Sequence, residues 1–328
     1  MRALVTGGGG FLGGAIIDKL LARDWEVRSI ARNDYPHLRE KGVATWQGDI
    51  AEGTAIEDAI AGCDVVFHVA AKAGVWGSYD SYHRSNVLAT ERILSACEKA
   101  GVERLVYTST PSVVFAGKDE SGTDESAPYP EHFLNHYART KAEAERKVLA
   151  ANGDALAVAA LRPHLIWGPG DPHLVPRILD RARRGKLKLV GSGDNRVDSV
   201  YIDNAAEAHV LAAEALQPGA ACAGKAYFIT NGEPLPMREL LNKILAAGDL
   251  PPVTKSVPPG VAYAVGALLE GVYGLLGKQE EPIMTRFVAR QLATEHWFDI
   301  RAAYNDFDYA PAISIDEGME RLRASLQG

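Results

Sequence analysis

The ten residues VTGGGGFLGG, residues 5–14, decide the fold of this chain. They follow a short apolar run, RALVTG, that is typical of a buried strand, and they open an amphipathic run, FLGGAIIDKLLARD, that is typical of a helix. Gly7, Gly10 and Gly13 have the spacing of a phosphate-binding turn, in which glycine permits a tight turn and close approach of the backbone to a pyrophosphate. The start of the helix, at Phe11 and Leu12, would then face the phosphates. A glycine-rich turn that holds no ligand is the alternative.

The rest of the first half repeats this strand-then-helix pattern. Apolar runs at EVRSIAR, CDVVFHVAA, RLVYTST and LAVAALRP alternate with the amphipathic runs GTAIEDAIAG, NVLATERILSACEKAG and YARTKAEAERKVLAAN. Such alternation implies parallel strands with helices on both faces of one sheet. We therefore predict an α/β fold, a doubly wound parallel sheet of the Rossmann kind, with a smaller and mostly C-terminal substrate domain. The predicted nucleotide domain covers 1–165 and about 197–230, and the substrate domain covers about 166–196 and 231–328.

Composition excludes several classes of function. The chain has 328 residues, of which 47% are hydrophobic and 23% are charged, as in ordinary globular proteins. Its net charge of −7 argues against a nucleic-acid-binding protein, which would carry a basic face. Cys63, Cys97 and Cys222 form no metal-binding or disulfide pattern, so we expect no metal and a reducing, cytoplasmic location. No signal peptide is expected, because the strand pattern starts at the first residues.

The end of the second predicted strand, SIARN, bears on which dinucleotide binds. An acidic residue here would take the ribose hydroxyls of NAD, whereas this chain has Ala31. Arg32 follows, and its guanidinium would hold the 2′-phosphate of NADP(H). A surface arginine without a ligand is the alternative. Asp49, in the later segment GDI, is expected to accept a hydrogen bond from the adenine amino group, and Ile50 beside it is a further predicted cofactor contact. We therefore favour NADP(H) over NAD.

Tyr137 and Lys141 lie four residues apart in NHYARTKAEAE, residues 135–145, and so share one face of a predicted helix. Reducing a ketone places negative charge on its oxygen, which a positioned phenol neutralises by giving up its proton. The ordinary tyrosine pKa is about 10. A cation nearby would lower this pKa, which suits acid–base catalysis near neutral pH. A solvated helix face is the alternative, and Glu143, Glu145 and Arg146 are typical of one.

A set of segments in one order resembles the extended short-chain dehydrogenases/reductases. They are TGGGGFLG, GDI, HVAA, YTSTPSV, YARTK and LRPHLIWGPGD, within residues 1 to about 210. SGDNRVDSVYIDNAAEAHVLA and LRPHLIWGPGD resemble the 3β-hydroxysteroid dehydrogenase/isomerase branch. AKAGVWGSYDSYH, YTSTPSVVF and YFITNGEPLPMREL resemble the bacterial 2-alkyl-3-oxoalkanoate reductases, which act in long-chain olefin biosynthesis. This last likeness extends through LATEHWFDI, almost to the C-terminus.

The resemblance implies a role for each matching residue. It makes Tyr137 the general acid/base, Lys141 the ligand of the nicotinamide ribose that lowers the Tyr137 pKa, and Thr110 a hydrogen-bond partner of the reacting oxygen. Ser109 takes the role of Thr110 if the match is shifted by one residue. Asn86 is implied to support the site through backbone or water contacts. The further cofactor contacts that the likeness implies are Gly13, Ala70, Ala71 and Pro163.

Other polar and aromatic residues are candidates for contacting the substrate. Trp76, Tyr79 and Tyr82 follow the predicted strand CDVVFHVAA, and they either line an acyl channel or pack between domains. His164 either contacts the substrate or packs in the core, whereas His68 is expected to be structural. The predicted substrate residues are Lys72, Trp76, Tyr79, Ser112, His164 and Arg196.

The resemblance implies NADPH-dependent reduction of a long-chain 2-alkyl-3-oxoalkanoic acid to the 2-alkyl-3-hydroxyalkanoic acid, with Lys72 or Arg196 holding the carboxylate. A 3β-hydroxysteroid or sterol dehydrogenase, which would need no carboxylate partner, is the alternative, and a nucleotide-sugar epimerase or dehydratase fits less well.

Apolar residues recur at helical spacing through 257–277, which predicts a helix. We expect it to cap the substrate pocket and to meet a membrane surface or a partner enzyme. A homodimer is expected, cytoplasmic or peripheral to the membrane.

Overall fold

Fifteen strands form one large sheet and three small ones in the computed structural model, which describes residues 1–328. They are β1 (Arg2–Thr6), β2 (Glu26–Ala31), β3 (Ala44–Gln47), β4 (Val65–His68), β5 (Arg104–Thr108), β6 (Glu120–Thr123), β7 (Ala157–Pro163), β8 (Ile166–Trp167), β9 (Leu189–Val190), β10 (Arg196–Val197), β11 (Val200–Tyr201), β12 (Lys225–Ile229), β13 (Leu235–Pro236), β14 (Ser256–Val257) and β15 (His296–Phe298). The large sheet has the order β12-β7-β5-β4-β1-β2-β3, and all its neighbouring pairs are parallel. The predicted doubly wound α/β fold is thereby confirmed.

Thirteen α-helices connect these strands or pack on them. They are α1 (Phe11–Leu21), α2 (Pro36–Glu40), α3 (Ala55–Ile60), α4 (Tyr79–Tyr82), α5 (Ala89–Ala100), α6 (His136–Ala150), α7 (Leu174–Arg183), α8 (Ile202–Ala215), α9 (Met237–Ala247), α10 (Pro259–Leu275), α11 (Arg286–Ala293), α12 (Arg301–Phe307) and α13 (Ile315–Gln327). A π-helical turn, His83–Leu88, precedes α5, and a 3₁₀ turn, Pro111–Val113, follows β5. No helix combines the length and apolar character that crossing a bilayer requires.

The central strands are apolar throughout because both faces of the sheet are covered. Successive side chains of a strand point to opposite faces. On β1, Ala3 and Val5 belong to the apolar cluster that includes α1 and α8, whereas Leu4 belongs to the cluster that includes α3, α5 and α6. A parallel sheet between two helical layers produces such continuous apolar runs.

The small sheets contain short strands that the sequence pattern did not predict. The largest has the order β13-β10-β15-β6, and β6 pairs with β15 although β6 lies within the predicted nucleotide domain. The main apolar cluster likewise runs from Ala3 to Leu322. The domain boundaries stay a prediction, and the structure adds that the two parts share one core. This packing brings the C-terminal part directly against the carboxyl ends of the large sheet's strands.

Candidate active site

A cleft of about 480 Å³ lies at the carboxyl ends of the large sheet's strands, where the strand order reverses between β1 and β4. Ligands of doubly wound sheets bind at this position. Every residue that the sequence predicts to contact the cofactor lines the cleft. These residues are Gly7, Gly10, Phe11, Leu12, Gly13, Arg32, Asp49, Ile50, Ala70, Ala71, Tyr137, Lys141 and Pro163.

The glycine loop has the shape that a pyrophosphate requires. Gly7 has φ +70°, and a Cβ built there would lie 3.1 Å from the Cα of Ala70. A Cβ at Gly13 would overlap the carbonyl oxygen of Gly7, so a side chain there would separate α1 from β1. Gly10 caps α1 without any side-chain hydrogen bond, which leaves the first N–H groups of the helix for an anion. The loop therefore fits a dinucleotide.

The adenosine end of the cleft carries a free guanidinium. Arg32 is exposed and forms no ion pair, and the next acidic residue along the chain, Asp34, is paired with Arg39. Asp49 accepts hydrogen bonds from the Ala51 N–H and from Arg84, at 3.0 Å each. A carboxylate has about four acceptor positions, so Asp49 is held in place and keeps capacity for a further donor.

The catalytic candidates are positioned by a capped helix and a strand end. The Asn135 side chain accepts from the Ala138 N–H at 2.7 Å and starts α6, so Tyr137 lies in its first turn and Lys141 one turn later. Thr110 follows β5, and its hydroxyl accepts from the Ser112 N–H at 3.3 Å. Thr110, Tyr137 and Lys141 all line the same cleft, as does the alternative candidate Ser109.

The electrostatics of Tyr137 differ from the expectation. Burial raises the pKa of the Tyr137 phenol above its ordinary value, and a hydrogen bond with the Thr110 side chain opposes that rise. The expected lowering by the Lys141 charge is not found. The Lys141 ammonium donates to the Thr108 carbonyl at 2.6 Å and lies 4.1 Å from the ring centroid of Tyr107. Its own burial lowers the pKa of Lys141 to about 7, against the opposing charge of Glu145.

Lys72 is held in the cleft by Asn86, a residue of the π-helical turn. The Asn86 side chain accepts from the Lys72 N–H at 2.7 Å and donates to the Lys72 carbonyl at 3.2 Å. The Lys72 ammonium donates to the Ser81 hydroxyl and lies 4.8 Å from the ring centroid of Tyr82. The ring of Tyr82 lies in turn 6.4 Å from that of Tyr137. Asn86 thus holds the backbone of Lys72 in place.

Comparison with known proteins identifies the family. The profile of the 3-beta hydroxysteroid dehydrogenase/isomerase family matches residues 4–256. The chain belongs to this family. Among its relatives, a 2-alkyl-3-oxoalkanoate reductase of Shewanella oneidensis is 57% identical, over 99% of this chain and 86% of the relative. A protein of the same name from Stenotrophomonas maltophilia is 55% identical, over 99% of both chains.

More distant members of the family act on sterols. The mouse sterol-4-alpha-carboxylate 3-dehydrogenase, decarboxylating, is 34% identical, over 99% of this chain and 91% of the relative.

Solved structures with the same fold include MoeE5 in complex with UDP-glucose and NAD, with a TM-score of 0.75 and 26% identity, over 100% of this chain and 99% of the other. MoeE5 in complex with UDP-glucuronic acid and NAD has a TM-score of 0.76 and 25% identity, over the same shares.

Four of the predicted substrate residues have other contacts in this member of the 3-beta hydroxysteroid dehydrogenase/isomerase family. The Tyr79 hydroxyl donates to Glu143 at 3.0 Å. His164 is buried against His296, which favours its packing interpretation. The remaining two are Ser112, which is buried behind Thr110, and Arg196, which lies 5.9 Å from the ring centroid of Trp297 in the four-stranded sheet. None of the four lines the cleft.

Trp76 lines a second cavity, of about 650 Å³, that Tyr82 also lines. Its indole N–H donates to the Lys278 carbonyl at 2.9 Å, and its ring lies 6.2 Å from that of Tyr273 on α10. His68 has both ring nitrogens paired, with Thr6 at 2.9 Å and Thr90 at 3.0 Å, and burial lowers its pKa to about 3. It is the structural histidine that the sequence analysis expected.

Several cleft residues were missed by sequence reasoning. They follow β2 and β8, end β5 or lie in the π-helical turn, so a position at a strand end was the available signal for most of them. These residues are Asn33, Tyr35, Ser85, Thr108, Asp171 and His173.

Proposed function

We propose that the chain reduces long-chain 2-alkyl-3-oxoalkanoic acids to the 2-alkyl-3-hydroxyalkanoic acids with NADPH. Two relatives that are more than half identical over nearly the whole chain carry the name of this reaction. Thr110, Tyr137 and Lys141 lie together in a cleft whose glycine loop fits a nicotinamide dinucleotide. The geometry of the site supports the reduction of a ketone, and the names of the relatives supply the substrate class.

Tyr137 supplies the proton in this reaction. When bound, the reduced nicotinamide provides the hydride for the carbonyl carbon. Tyr137 gives its phenolic proton to the carbonyl oxygen, and the Thr110 hydroxyl donates a hydrogen bond to the same oxygen. The raised pKa of Tyr137 keeps the phenol protonated near neutral pH, which is the form that reduction consumes. The Lys141 ammonium, fixed on the Thr108 carbonyl, is placed to hold the ribose.

The names of the relatives share one chemical feature. In a 2-alkyl-3-oxoalkanoate, the carbon that bears the carboxylate is bonded to the ketone carbon. The same relation holds between the 4-carboxylate and position 3 of the sterol relative's substrate, so this sterol alternative also carries a carboxylate. The expectation that a sterol needs no carboxylate partner is wrong for this relative. A cation near Tyr137 is thus the feature to look for.

Lys72 is that cation, and its position carries the proposal. It lines the cleft together with Tyr137, is half-buried, and forms no ion pair with any carboxylate of the chain. Arg196, the other candidate, does not line the cleft. Lys72 rather than Arg196 is therefore proposed to bind the substrate carboxylate.

Replacing Lys72 by methionine is expected to lower kcat/KM for the free acid by about 10–150-fold, because a charge-assisted hydrogen bond contributes about 1.5–3 kcal/mol. The methyl ester of the same substrate carries no charge, and its turnover should change little. The measurement is steady-state oxidation of NADPH with acid and ester in parallel. Arg196→Met is the matched control and should keep the preference for the acid. A preference that survives in Lys72→Met, or disappears in Arg196→Met, would contradict the assignment.

The substrate class is tested by comparing a series of 2-alkyl-3-oxo acids with 3-oxosteroids and a sterol-4-carboxylate ketone. Each buried methylene contributes about 0.8 kcal/mol, so kcat/KM should rise with chain length until the pocket is filled. Faster turnover of the steroid ketones would replace the proposal with the sterol alternative. Deuterium from labelled NADPH should appear in the product, whereas an epimerase would return it to the cofactor.

We propose further that the cofactor is NADP(H), because Ala31 stands where an acid would bind the ribose and Arg32 offers an unpaired guanidinium in the cleft. Arg32→Ala is expected to raise the KM for NADPH by about 10–150-fold, the equivalent of a charge-assisted contact of about 1.5–3 kcal/mol. The KM for NADH should stay the same. Arg39→Ala, which removes a neighbouring arginine already paired with Asp34, serves as the control. An unmodified enzyme that prefers NADH would overturn this choice.

A further inference from the structure

Helix α10 exposes an apolar face to solvent. Of its seventeen residues only Ala262 and Gly266 are buried. Leu268 is 67% exposed and Leu275 is 90% exposed, and beyond the helix Ile283 is 69% exposed. The exposed apolar residues of α10 are spaced three or four residues apart, so they lie on one side of the helix. This apolar face consists of Val261, Val265, Leu268, Val272 and Leu275, with Leu276 and Ile283 beside it.

The helix that carries the apolar face packs on α11 and borders the second cavity. α10 packs closely on α11, and a Cβ at Gly266 would lie 2.6 Å from the backbone of Thr285. Glu270 pairs with Arg286 at 2.6 Å, and both line the second cavity with Trp76 and Tyr82. The apolar face therefore lies on a packed helix beside the second cavity.

A basic segment borders α10 on the side of α7. Arg181 donates to the Ile283 carbonyl at 2.9 Å, and Arg177 pairs with Glu281 at 2.8 Å. At the other end of α10, the strand β14 that leads into it pairs with β9, which follows Lys186 and Lys188. The bordering segments, 174–190 and 255–286, contain nine basic and four acidic residues in a chain whose net charge is −7.

The basic border includes cations that no side chain neutralises. Arg183, Lys186, Lys188 and Lys255 are exposed and form no ion pairs, whereas Glu280 is the one acidic residue of these segments that lacks a basic partner. An apolar face with a basic border matches an anionic bilayer, whose acyl region takes the leucines and whose headgroups take the lysines. A second copy of the chain is a poorer match, because a two-fold contact would place this border against itself.

We propose that the apolar face of α10 docks on the surface of an anionic phospholipid bilayer. The leucines enter the headgroup–acyl boundary, and Arg183, Lys186, Lys188 and Lys255 contact lipid phosphates. Docking leaves the chain peripheral, since none of its helices crosses the membrane. The inference does not depend on which ketone the enzyme reduces.

Flotation of the full-length protein with vesicles tests the docking. The protein should bind vesicles that contain phosphatidylglycerol more strongly than vesicles of phosphatidylcholine alone, and added salt should weaken the binding. The double variant Leu268→Ser, Leu275→Ser should lower the bound fraction about tenfold or more, because it has no leucine side chains at these positions to enter the acyl region of the bilayer. Lys186→Gln and Lys188→Gln should each lower binding to anionic vesicles about fivefold.

Leu326→Ser is the matched control, because Leu326 is an exposed leucine on α13 outside the apolar face. It should bind vesicles like the unmodified protein, and equal melting temperatures will show that all variants are folded. Absence of binding to both kinds of vesicle overturns the proposal. So does binding that Leu268→Ser with Leu275→Ser leaves unchanged. A dimer in light scattering that this double variant dissociates would make the face a self-interface and would also overturn it.

Discussion

Replacing Tyr137 by phenylalanine is expected to lower kcat by about 10²–10⁴-fold, the usual contribution of general acid catalysis. The phenylalanine ring keeps the shape of the cleft but has no proton to give to the carbonyl oxygen. Cofactor binding should persist, since the glycine loop, Arg32 and Lys141 are unchanged. The measurements are kcat from NADPH oxidation under saturating substrate and the Kd of NADPH from fluorescence titration.

Tyr82→Phe is the matched control for this result. Its ring lies 6.4 Å from that of Tyr137, and its hydroxyl donates to the Trp76 carbonyl at 3.1 Å. Loss of one such neutral hydrogen bond costs about 0.5–1.5 kcal/mol, so kcat should change by about tenfold at most. If Tyr137→Phe retained a rate close to that of the unmodified enzyme, another group would have to supply the proton, and the mechanism would be abandoned.

Replacing Glu145 by alanine is expected to destabilise the fold by about 3–5 kcal/mol, because it leaves a buried charge without a partner. Glu145 is fully buried and Arg162 is 3% exposed. Two hydrogen bonds join them, from Arg162 Nε at 3.0 Å and Nη2 at 2.6 Å, and the Tyr129 hydroxyl donates to the same carboxylate at 2.6 Å. Arg162 Nη1 has no hydrogen-bond partner even in the intact pair. Replacing Glu145 by alanine therefore leaves the whole guanidinium buried without a carboxylate partner.

Urea unfolding measures this difference, with Asp180→Ala as the control. Asp180, on α7, forms an exposed ion pair with Arg184 just beyond the helix at 2.9 Å, and its loss should cost about 0–1 kcal/mol. Glu145→Gln keeps the size of the side chain and one acceptor, and it should fall between the two. Equal losses of stability in Glu145→Ala and Asp180→Ala would show that the buried pair contributes no more than a surface pair.

The cofactor side of the cleft was predictable because it depends on strand ends. Most of its residues follow β1, β2 or β4, which the apolar pattern marks, and parallel strands bring those ends to one edge of the sheet. The sequence pattern did not predict β3, although Asp49 and Ile50, which follow this strand, line the cleft. Its four residues, ATWQ, lie at the edge of the sheet and are only partly buried, so they show no apolar run.

The substrate side was less predictable because it depends on how loops fold against each other. Lys72 and Tyr79 both follow β4, at a distance of seven residues along the chain, yet Tyr79 contacts Glu143 while Lys72 lines the cleft. Arg196 and His164 were predicted from the resemblance to the extended enzymes, and contacts with Trp297 and His296 place both elsewhere. The direction of the Tyr137 pKa shift was equally out of reach, since spacing along a helix predicts a neighbouring charge but not the burial of both groups.

The π-helical turn His83–Leu88 makes the position of Lys72 sensitive to the number of residues in this segment. An ordinary α-helix advances by about 100° per residue, and a π-helical turn accommodates one residue more per turn. Asn86 lies inside this wider turn, and its side chain forms hydrogen bonds with both the N–H and the carbonyl group of Lys72. Deleting one residue here would let the segment rewind as a regular helix and turn Asn86 away from Lys72 by about 100°. The number of residues in this turn thus sets the position of Lys72, the residue proposed to bind the substrate carboxylate.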